Sequence, residues 1–358
     1  MIVRALGSLA CAIGAWAALA TTSAIAHAAP AKLTYSDHAM GTNVQVWFWT
    51  DKEADAAQAA AAVFTEMKRL DLEMTTWKPE SEVSKIIAAA GDKPIAVSDE
   101  TYQVIARAVD ISKRSNGVFD ITVGAFKGLW KFDEDMDEAC AQGLPACKLP
   151  DPADVKKRLA LIGWRDIVMD PAKKTVFLRR KGMSITLGGI AKGYAVDKCV
   201  ALLKTRGFTD FMVQAGGDMY VAGSKGDAPW VVGIRDPRDQ RDQMFALAPV
   251  KDHSFSTSGD YERGFVKDGV RYHHILDPHS GQPARASRSV TIRAKDAFTA
   301  DAWSKVMFID GPTLGKKLIA ENRLDDFEVV WVDDNNDVTM TPGIQKDLKV
   351  LHPPKPGI

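Results

Sequence analysis

The segment 184–197 combines residue types that are typical of a phosphate-binding site. Residues 184–187 predict an apolar strand, Gly188 and Gly189 predict a bend, and the residues that follow predict a helix with Lys192 in its first turn. The start of a helix offers free backbone N–H groups at the positive end of its dipole, and glycines let a ligand approach the main chain. We predict that a phosphate group binds here, although Gly pairs also occur at ordinary tight turns.

Two side chains later in the chain have the chemistry to act on a bound phosphate. A carboxylate such as that of Asp301 is the ligand type that a hard cation like Mg²⁺ prefers. The imidazole of His274 titrates near neutral pH, which suits a general base. These two residues and Lys192 each have an ordinary alternative: Asp301 as an acid at a helix N-terminus, His274 as a structural residue in a strand, and Lys192 as a solvated helix lysine. The residue types alone leave these alternatives open.

The elements that must position these residues are strands and helices that do not alternate strictly. Strands are predicted at 33–50 (two, around Gly41), 175–179, 183–187, 211–214, 219–223, 230–234, 254–258, 271–276, 289–293 and 327–332, and helices at 52–74, 98–115, 154–163, from the Gly pair to about 205, and from 297. A doubly wound parallel sheet would alternate strand and helix. The predicted fold class is therefore α+β, with mixed or antiparallel sheets and flanking helices, in one domain over residues 29–358.

The charges of the chain balance. Its 358 residues include 46 Lys plus Arg and 46 Asp plus Glu, which gives a formal net charge of zero. A surface without excess positive charge does not favour nucleic acid or anionic lipid as a partner. An anionic ligand therefore needs a local site.

The N-terminus is predicted to be a signal peptide, residues 1–28. Arg4 precedes an apolar stretch that is too short for a membrane span, and Ala26-His27-Ala28 fits the small-x-small cleavage rule. No second long apolar run follows. The mature chain is therefore predicted to be soluble, without a transmembrane segment, and exported, which in a Gram-negative cell means the periplasm.

The cysteines agree with an oxidising compartment. Cys140 and Cys147 flank a short loop and are predicted to form a disulfide within an acidic surface insertion, residues 133–154. A metal site is disfavoured there, because no His and no second Cys pair accompany the two residues. Cys199 is predicted to be a buried thiol.

Five segments, taken in order, resemble the ApbE family of FAD:protein FMN transferases. They are HAMGT at 38–42, FDITVG at 119–124, LGGIAKGYAVD at 187–197, TSGDY at 257–261 with YHHILDP at 272–278, and TADA at 299–302. The resemblance implies a fold related to the T-fold and an exported, Mg²⁺-dependent enzyme. Such an enzyme binds FAD, cleaves its diphosphate and attaches FMN through a phosphoester to Thr or Ser of a partner protein. The implied partner is a flavoprotein subunit of a respiratory or redox complex, such as a Na⁺-pumping NADH:quinone reductase or an Rnf-type complex.

The resemblance also implies roles for individual residues. Asp301 and the backbone carbonyl of Ala191 are expected to hold the metal, Lys192 to meet a phosphate, and His274 to take the acceptor proton. The other residues expected to contact FAD are Met40 and Trp77 at the flavin, Thr122, Val123 and Gly124 along one wall, Thr186, Gly188 and Gly189 at the bend, and Ser258, Gly259 and Asp260 near the phosphates. The turn at Gly216-Gly217-Asp218 either touches the ligand or only turns the chain.

Two positions depart from the family pattern. Thr186 stands where relatives often carry Asp, and Lys305 stands where they usually carry a Thr or Ser metal ligand, one helical turn after Asp301. An ammonium group donates hydrogen bonds but offers no oxygen ligand. Three outcomes stay open: Lys305 points away while water completes the metal shell, Lys305 replaces the charge of the metal, or the protein binds FAD without turning it over.

Three functions follow from these observations. The leading hypothesis is a flavin transferase that acts on another protein, because this chain contains no convincing acceptor motif of its own. The alternatives are a periplasmic FAD pyrophosphatase that releases FMN and AMP, and a non-catalytic FAD-binding protein.

Overall fold

The computed structural model describes residues 29–239, 241 and 243–358, and the predicted signal peptide lies outside the described residues. The strands are β1 (Ala31–Ala39), β2 (Thr42–Thr50), β3 (Ile95–Ala96), β4 (Ile167–Asp170), β5 (Thr175–Leu178), β6 (Phe211–Ala215), β7 (Asp218–Ala222), β8 (Trp230–Arg235), β9 (Met244–Val250), β10 (His253–Gly259), β11 (Gly264–Lys267), β12 (Val270–His273), β13 (Ser287–Ala294), β14 (Glu328–Asp333), β15 (Val338–Met340) and β16 (Lys349–Val350). The helices are α1 (Glu53–Met74), α2 (Glu82–Ala88), α3 (Asp99–Arg114), α4 (Glu134–Ala141), α5 (Pro152–Leu159), α6 (Ala191–Thr205), α7 (Ala297–Glu321) and α8 (Pro342–Asp347), with short 3₁₀ helices at Ile121–Phe126 and Trp164–Asp166.

An antiparallel sheet of eight strands lies at the centre of the molecule. Its order is β1-β2-β6-β7-β10-β13-β14-β15, and every neighbouring pair is antiparallel. Val44, Val46 and Phe48 of β2 are fully buried, whereas the residues between them are more exposed. This period of two is typical of a strand in an antiparallel sheet. The antiparallel sheets and flanking helices confirm the predicted α+β class.

Different layers cover the two faces of this sheet. Helices α1, α6 and α7 pack against one face, in a core that includes the buried side chains of Met67, Val196 and Trp303. The small sheet β16-β9-β8 packs against the other face, in a second core that includes Phe245 and Phe255. Burial of apolar surface on both faces stabilises the sheet. Because α6 and α7 lie on the same face and contact each other, their polar side chains can meet.

The segment before α6, predicted as a strand over 183–187, forms no strand. Ile185 is buried, but the Thr186 N–H donates to the Ile121 carbonyl at 2.8 Å rather than to a neighbouring strand. A Cβ at Gly124 would lie 2.5 Å from the carbonyl carbon of Ile185. The segment is therefore packed tightly along the 3₁₀ helix, and this close approach replaces sheet pairing.

The predicted helices form, with differences in extent. Ser98 caps α3, since its side chain accepts the Thr101 N–H. The seven-residue α2 was not predicted. Helix α7 continues beyond the predicted region through a kink at Gly311, whose φ is 69°, with Pro312 restarting the helix. Among the described helices, none has the length and apolar composition that a membrane crossing requires.

The insertion at residues 133–154 contains α4 and a disulfide between Cys140 and Cys147. Helix α4 contacts β11, the first strand of the hairpin that precedes His274. Trp130 and Phe132, just before the insertion, stack on Phe265 and Tyr272 of this hairpin. The insertion therefore supports the hairpin from outside. Cys199 is a buried free thiol, as predicted.

Candidate functional site

The predicted phosphate-binding residues lie where the first turns of α6 and α7 cross. A Cβ at Gly193 would overlap the Ala297 carbonyl oxygen and would lie 2.7 Å from the Cβ of Asp301. The Asp197 carboxylate accepts the N–H groups of Ala297 at 2.8 Å and Phe298 at 2.9 Å, and so caps the first turn of α7. These contacts fix the two helices relative to each other.

Asp301 is fully buried at the centre of this crossing. Its Oδ2 accepts the Gly193 N–H at 2.9 Å, its Oδ1 accepts a hydrogen bond from Lys305 Nζ, and Lys192 Nζ lies 3.9 Å from Oδ1. Burial acts to raise the pKa of Asp301, but the ammonium groups of Lys192 and Lys305 hold this pKa below its usual value. Asp301 is therefore an ionised carboxylate, and both of its oxygens have partners.

Lys192 is the second member of the charge cluster. Its ammonium group forms an ion pair of 2.7 Å with Asp218 at the start of β7, and Ser256 on β10 donates to the other Asp218 oxygen at 2.5 Å. Burial acts against the charge of Lys192, but Asp218 and Asp301 raise its pKa above the usual value. Lys192 is therefore a fixed cation at the start of a helix. The sequence left the role of the Asp218 turn open, and the structure places Asp218 in the cluster.

His274 follows β12 and has an exposed edge. Its Nδ1 lies 3.3 Å from the carbonyl oxygen of Arg263. Because a carbonyl only accepts, the neutral ring carries its proton on Nδ1 and keeps a lone pair on Nε2. Desolvation by the surrounding protein atoms, together with nearby positive charges that include Arg263 and Lys305, lowers the pKa of His274 to about 3. His274 is therefore neutral at physiological pH.

Arg263 adds a third cation to the cluster and was not predicted. Its guanidinium lies 3.4 Å from the carbonyl oxygen of Gly41. Its charge acts on the titration of both Lys192 and His274. The charge of Lys305 also acts on His274. The structure thus brings the predicted base and three cations into one electrostatic neighbourhood.

The Gly pair lies beside Lys305 and leaves the main chain accessible. The nearest atoms to a Cβ at Gly189 would be those of Phe119 and Lys305, at 3.5 Å or more, and at Gly188 only Thr186 Oγ1, at 3.5 Å. Neither glycine has a positive φ, so the bend itself does not require glycine. Thr186 Oγ1 accepts the Gly188 N–H at 3.3 Å and stabilises the turn. This open approach fits a ligand that contacts the backbone.

Of the two residues predicted to contact the flavin, Met40 is partly buried against the core and Trp77 lies in an exposed loop. Met40 has a φ of 53° in the turn between β1 and β2, and its N–H donates to Asp71 at 3.0 Å. The Trp77 side chain is 81 % exposed, and Lys127 Nζ lies 3.8 Å from its ring centroid. An exposed indole offers a surface on which a flexible or planar ligand can stack.

Two of the three residues predicted to line the flavin slot are buried and contact other parts of the protein. Thr122 is fully buried, and its hydroxyl donates to Asp120 at 2.6 Å and accepts the Gly163 N–H at 2.8 Å. Gly124 is the point of close packing described above. Val123 is the partly exposed residue of the three. Their contact with a flavin stays a prediction.

Ser258 and Gly259 end β10, Asp260 follows it, and all three are buried. Ser258 Oγ lies 2.7 Å from Ser304 Oγ on α7. Asp260 accepts two hydrogen bonds of 2.7 Å from the Arg238 guanidinium, which compensates its charge. These contacts hold the end of β10 against α7, and a direct contact with phosphate stays a prediction.

The predicted metal ligands do not offer a donor set that fits Mg²⁺. Lys305 does not point away from Asp301, because its ammonium group is bonded to Asp301 Oδ1. An ammonium has no lone pair for a metal. Ala191, the other predicted ligand, is the buried first residue of α6. Over residues 29–239, 241 and 243–358, no group of three or more His, Cys, Asp or Glu side chains is arranged to hold a metal ion.

Comparisons with known proteins relate this chain to one protein family. The model of the ApbE family matches residues 40–331. An FAD:protein FMN transferase of Klebsiella pneumoniae is 30% identical over 309 residues, which cover 86% of this chain and 91% of that protein. One of Treponema pallidum is 31% identical over 328 residues, which cover 87% of each.

Solved structures show the same fold. The ApbE protein of Thermotoga maritima matches with a TM-score of 0.78 at 32% identity, over 88% of this chain and 99% of that one. The flavin transferase ApbE of Vibrio cholerae matches with a TM-score of 0.76 at 25% identity, over 89% and 99%. On the family match and these identities, the chain belongs to the ApbE family.

Proposed function

We propose that this protein is an FAD:protein FMN transferase that attaches FMN to a Thr or Ser hydroxyl of a partner protein. The proposal rests on one observation: a neutral histidine and three cations lie in one electrostatic neighbourhood beside an accessible Gly pair. The histidine is His274, the cations are Lys192, Lys305 and Arg263, and the Gly pair is the bend at 188–189. The names of the curated relatives, FAD:protein FMN transferase, support the same reaction.

The reaction replaces the phosphoanhydride bond of FAD by a phosphoester bond to the acceptor. The acceptor hydroxyl attacks the FMN phosphorus of FAD, a new P–O bond forms, and the bond to the bridging oxygen breaks. AMP leaves with the electron pair of that bond. Cations near the diphosphate stabilise the charge that develops on its oxygens. Lys192 and Lys305 are fixed by ion pairs with Asp218 and Asp301, so little reorganisation is needed when FAD binds.

His274 takes the proton of the attacking hydroxyl in this proposal. Its Nδ1 proton is directed at the Arg263 carbonyl, which leaves Nε2 as the proton acceptor. A bound diphosphate adds negative charge near the ring and raises the proton affinity of Nε2 from its low value in the free protein. No step of the proposed reaction needs Mg²⁺, because the donors around Asp301 do not fit the ion.

The proposed location is the periplasm. The signal-peptide pattern at residues 1–28 and the Cys140–Cys147 disulfide support it. The proposed acceptor is a flavoprotein subunit of a respiratory or redox complex. Because the chain has no acceptor motif of its own, it acts on this subunit in trans.

The test is incubation of the protein with FAD and a peptide or subunit that bears the acceptor Thr. We expect flavin fluorescence to become covalently attached to the acceptor. Release of free FMN and AMP without labelling would instead assign the site to FAD hydrolysis. Binding of unchanged FAD would make the protein a flavin carrier. Either of these two results would contradict the proposed transferase.

A further inference from the structure

Lys305 occupies the position from which a cation would neutralise Asp301. Its ammonium group donates both to Asp301 Oδ1 and, at 2.9 Å, to the Asp301 carbonyl. The methylene stem of Lys305 passes the bend, since its Cε would lie 3.7 Å from a Cβ at Gly189. The charged end therefore lies between the buried carboxylate and the Gly pair, where the diphosphate is proposed to bind.

The other oxygen atoms near Asp301 also have partners. Asp301 Oδ2 accepts the Gly193 N–H, and the Ser304 hydroxyl donates to the Asp301 carbonyl at 2.7 Å. Asp218 accepts from Lys192 and from Ser256 on its two oxygens. A divalent cation would have to break these bonds and lie next to two ammonium groups. Like charges at such distances repel strongly in a buried site.

The charges balance without a metal ion. Asp218 and Asp301 are two buried anions, and Lys192 and Lys305 are the two cations bonded to them. Arg263 adds a third positive charge in the same neighbourhood. The site therefore has an excess of positive charge for an anionic ligand before any ion binds.

We propose that the ammonium group of Lys305 takes the place of a divalent cation, so that this protein binds and cleaves the FAD diphosphate without metal. The inference rests on the proposed function for its catalytic part, whereas its metal-binding part does not depend on turnover. Lys305 is a point charge that can donate to a phosphate oxygen while it keeps one bond to Asp301.

The first test is a titration of the purified protein with Mn²⁺, followed by electron paramagnetic resonance. We expect the parent to have no Mn²⁺ site at Asp301, so its Mn²⁺ binding should be the same as that of Asp301→Asn. Lys305→Thr removes the ammonium, frees Asp301 Oδ1 and adds a hydroxyl oxygen, so this variant should gain a Mn²⁺ site at least about tenfold tighter than any in the parent. Lys316→Thr, at an exposed position on the same helix, is the matched control and should gain none.

The second test measures FAD affinity by fluorescence quenching in excess EDTA and in excess Mg²⁺. The parent should bind FAD equally in both. Lys305→Thr should lose about ten- to a hundredfold in EDTA, the value of one charged hydrogen bond, and recover with Mg²⁺. Circular dichroism checks that the variant is folded.

A stoichiometric Mn²⁺ site in the parent that Asp301→Asn abolishes would by itself overturn the inference. FMN transfer by the parent that stops in EDTA and returns with Mg²⁺ would overturn it as well. If the parent does not transfer FMN to the acceptor under any condition, the proposed function fails. The Mn²⁺ titration then still decides the role of Lys305.

Discussion

The effect of a substitution at Gly193 on the free energy of unfolding can be worked out from the structure. A methyl group at this position would overlap the Ala297 carbonyl oxygen and would lie 2.7 Å from the Asp301 Cβ, so α6 and α7 must move apart. Overpacking costs about 1–3 kcal/mol and loss of the N–H bond to the Asp301 carboxylate about 1.5–3 kcal/mol, while alanine regains about 1 kcal/mol of helix propensity. Gly193→Ala should therefore lower the free energy of unfolding by about 1.5–5 kcal/mol.

Gly188→Ala is the matched control, because its new methyl would meet only Thr186 Oγ1 at 3.5 Å. Its free energy of unfolding should stay within about 0.5 kcal/mol of the parent. FAD affinity should nevertheless fall, because the methyl occupies the approach proposed for the diphosphate. Urea unfolding and FAD titration measure the two effects. If Gly193→Ala is as stable as the parent, the helix crossing does not constrain the site as described.

Other predictions test the base, its titration and the disulfide. His274→Ala should reduce FMN transfer by about a hundred- to ten-thousandfold with FAD affinity largely retained. His279→Ala, at an exposed neighbouring position, should have little effect. Equal rates for the parent and the His274 variant would refute the assignment of His274 as the base. Protonation inactivates a base, and the pKa of His274 is about 3. Above about pH 5, kcat/KM for FAD should therefore not fall through protonation of His274. A fall in kcat/KM near pH 6.5 that His274→Asn removes would contradict the desolvated ring. Replacing Cys140 and Cys147 by Ser should lower the free energy of unfolding by about 2–3 kcal/mol, as expected for a short closed loop, and unchanged melting would show that the link adds no stability.

Much of the fold could be predicted from local patterns. The two strands predicted around Gly41 and the helix predicted at 98–115 form as β1, β2 and α3, because their signals depend on residues close in sequence. The segment 183–187 misled for a physical reason. Its alternating burial arises from packing against the 3₁₀ helix, where Gly124 allows backbone contact, and not from pairing with a strand. An alternating apolar pattern indicates which residues are buried, but it does not indicate whether a strand or another element packs against them.

The candidate site was chosen from sequence motifs. The motifs singled out Lys192, Asp301 and His274, and the departure from the family pattern singled out Lys305; the structure brings these four side chains into one neighbourhood. The sequence did not locate Arg263, because a lone arginine in a charged hairpin has no motif, and its role depends on how β11 and β12 bring it toward the helix crossing. Pairings such as Lys192 with Asp218 join different elements, so only the folded chain reveals them.

The most direct measurement of the central claim is the ratio of AMP released to FMN bound on the acceptor. Mass spectrometry of the acceptor and chromatography of the nucleotides, in the same reaction with FAD, give both quantities. Transfer from a diphosphate held beside Lys192 and His274 predicts one AMP for each FMN attached to a Thr or Ser. AMP release with an unmodified acceptor, or no AMP at all, would contradict it.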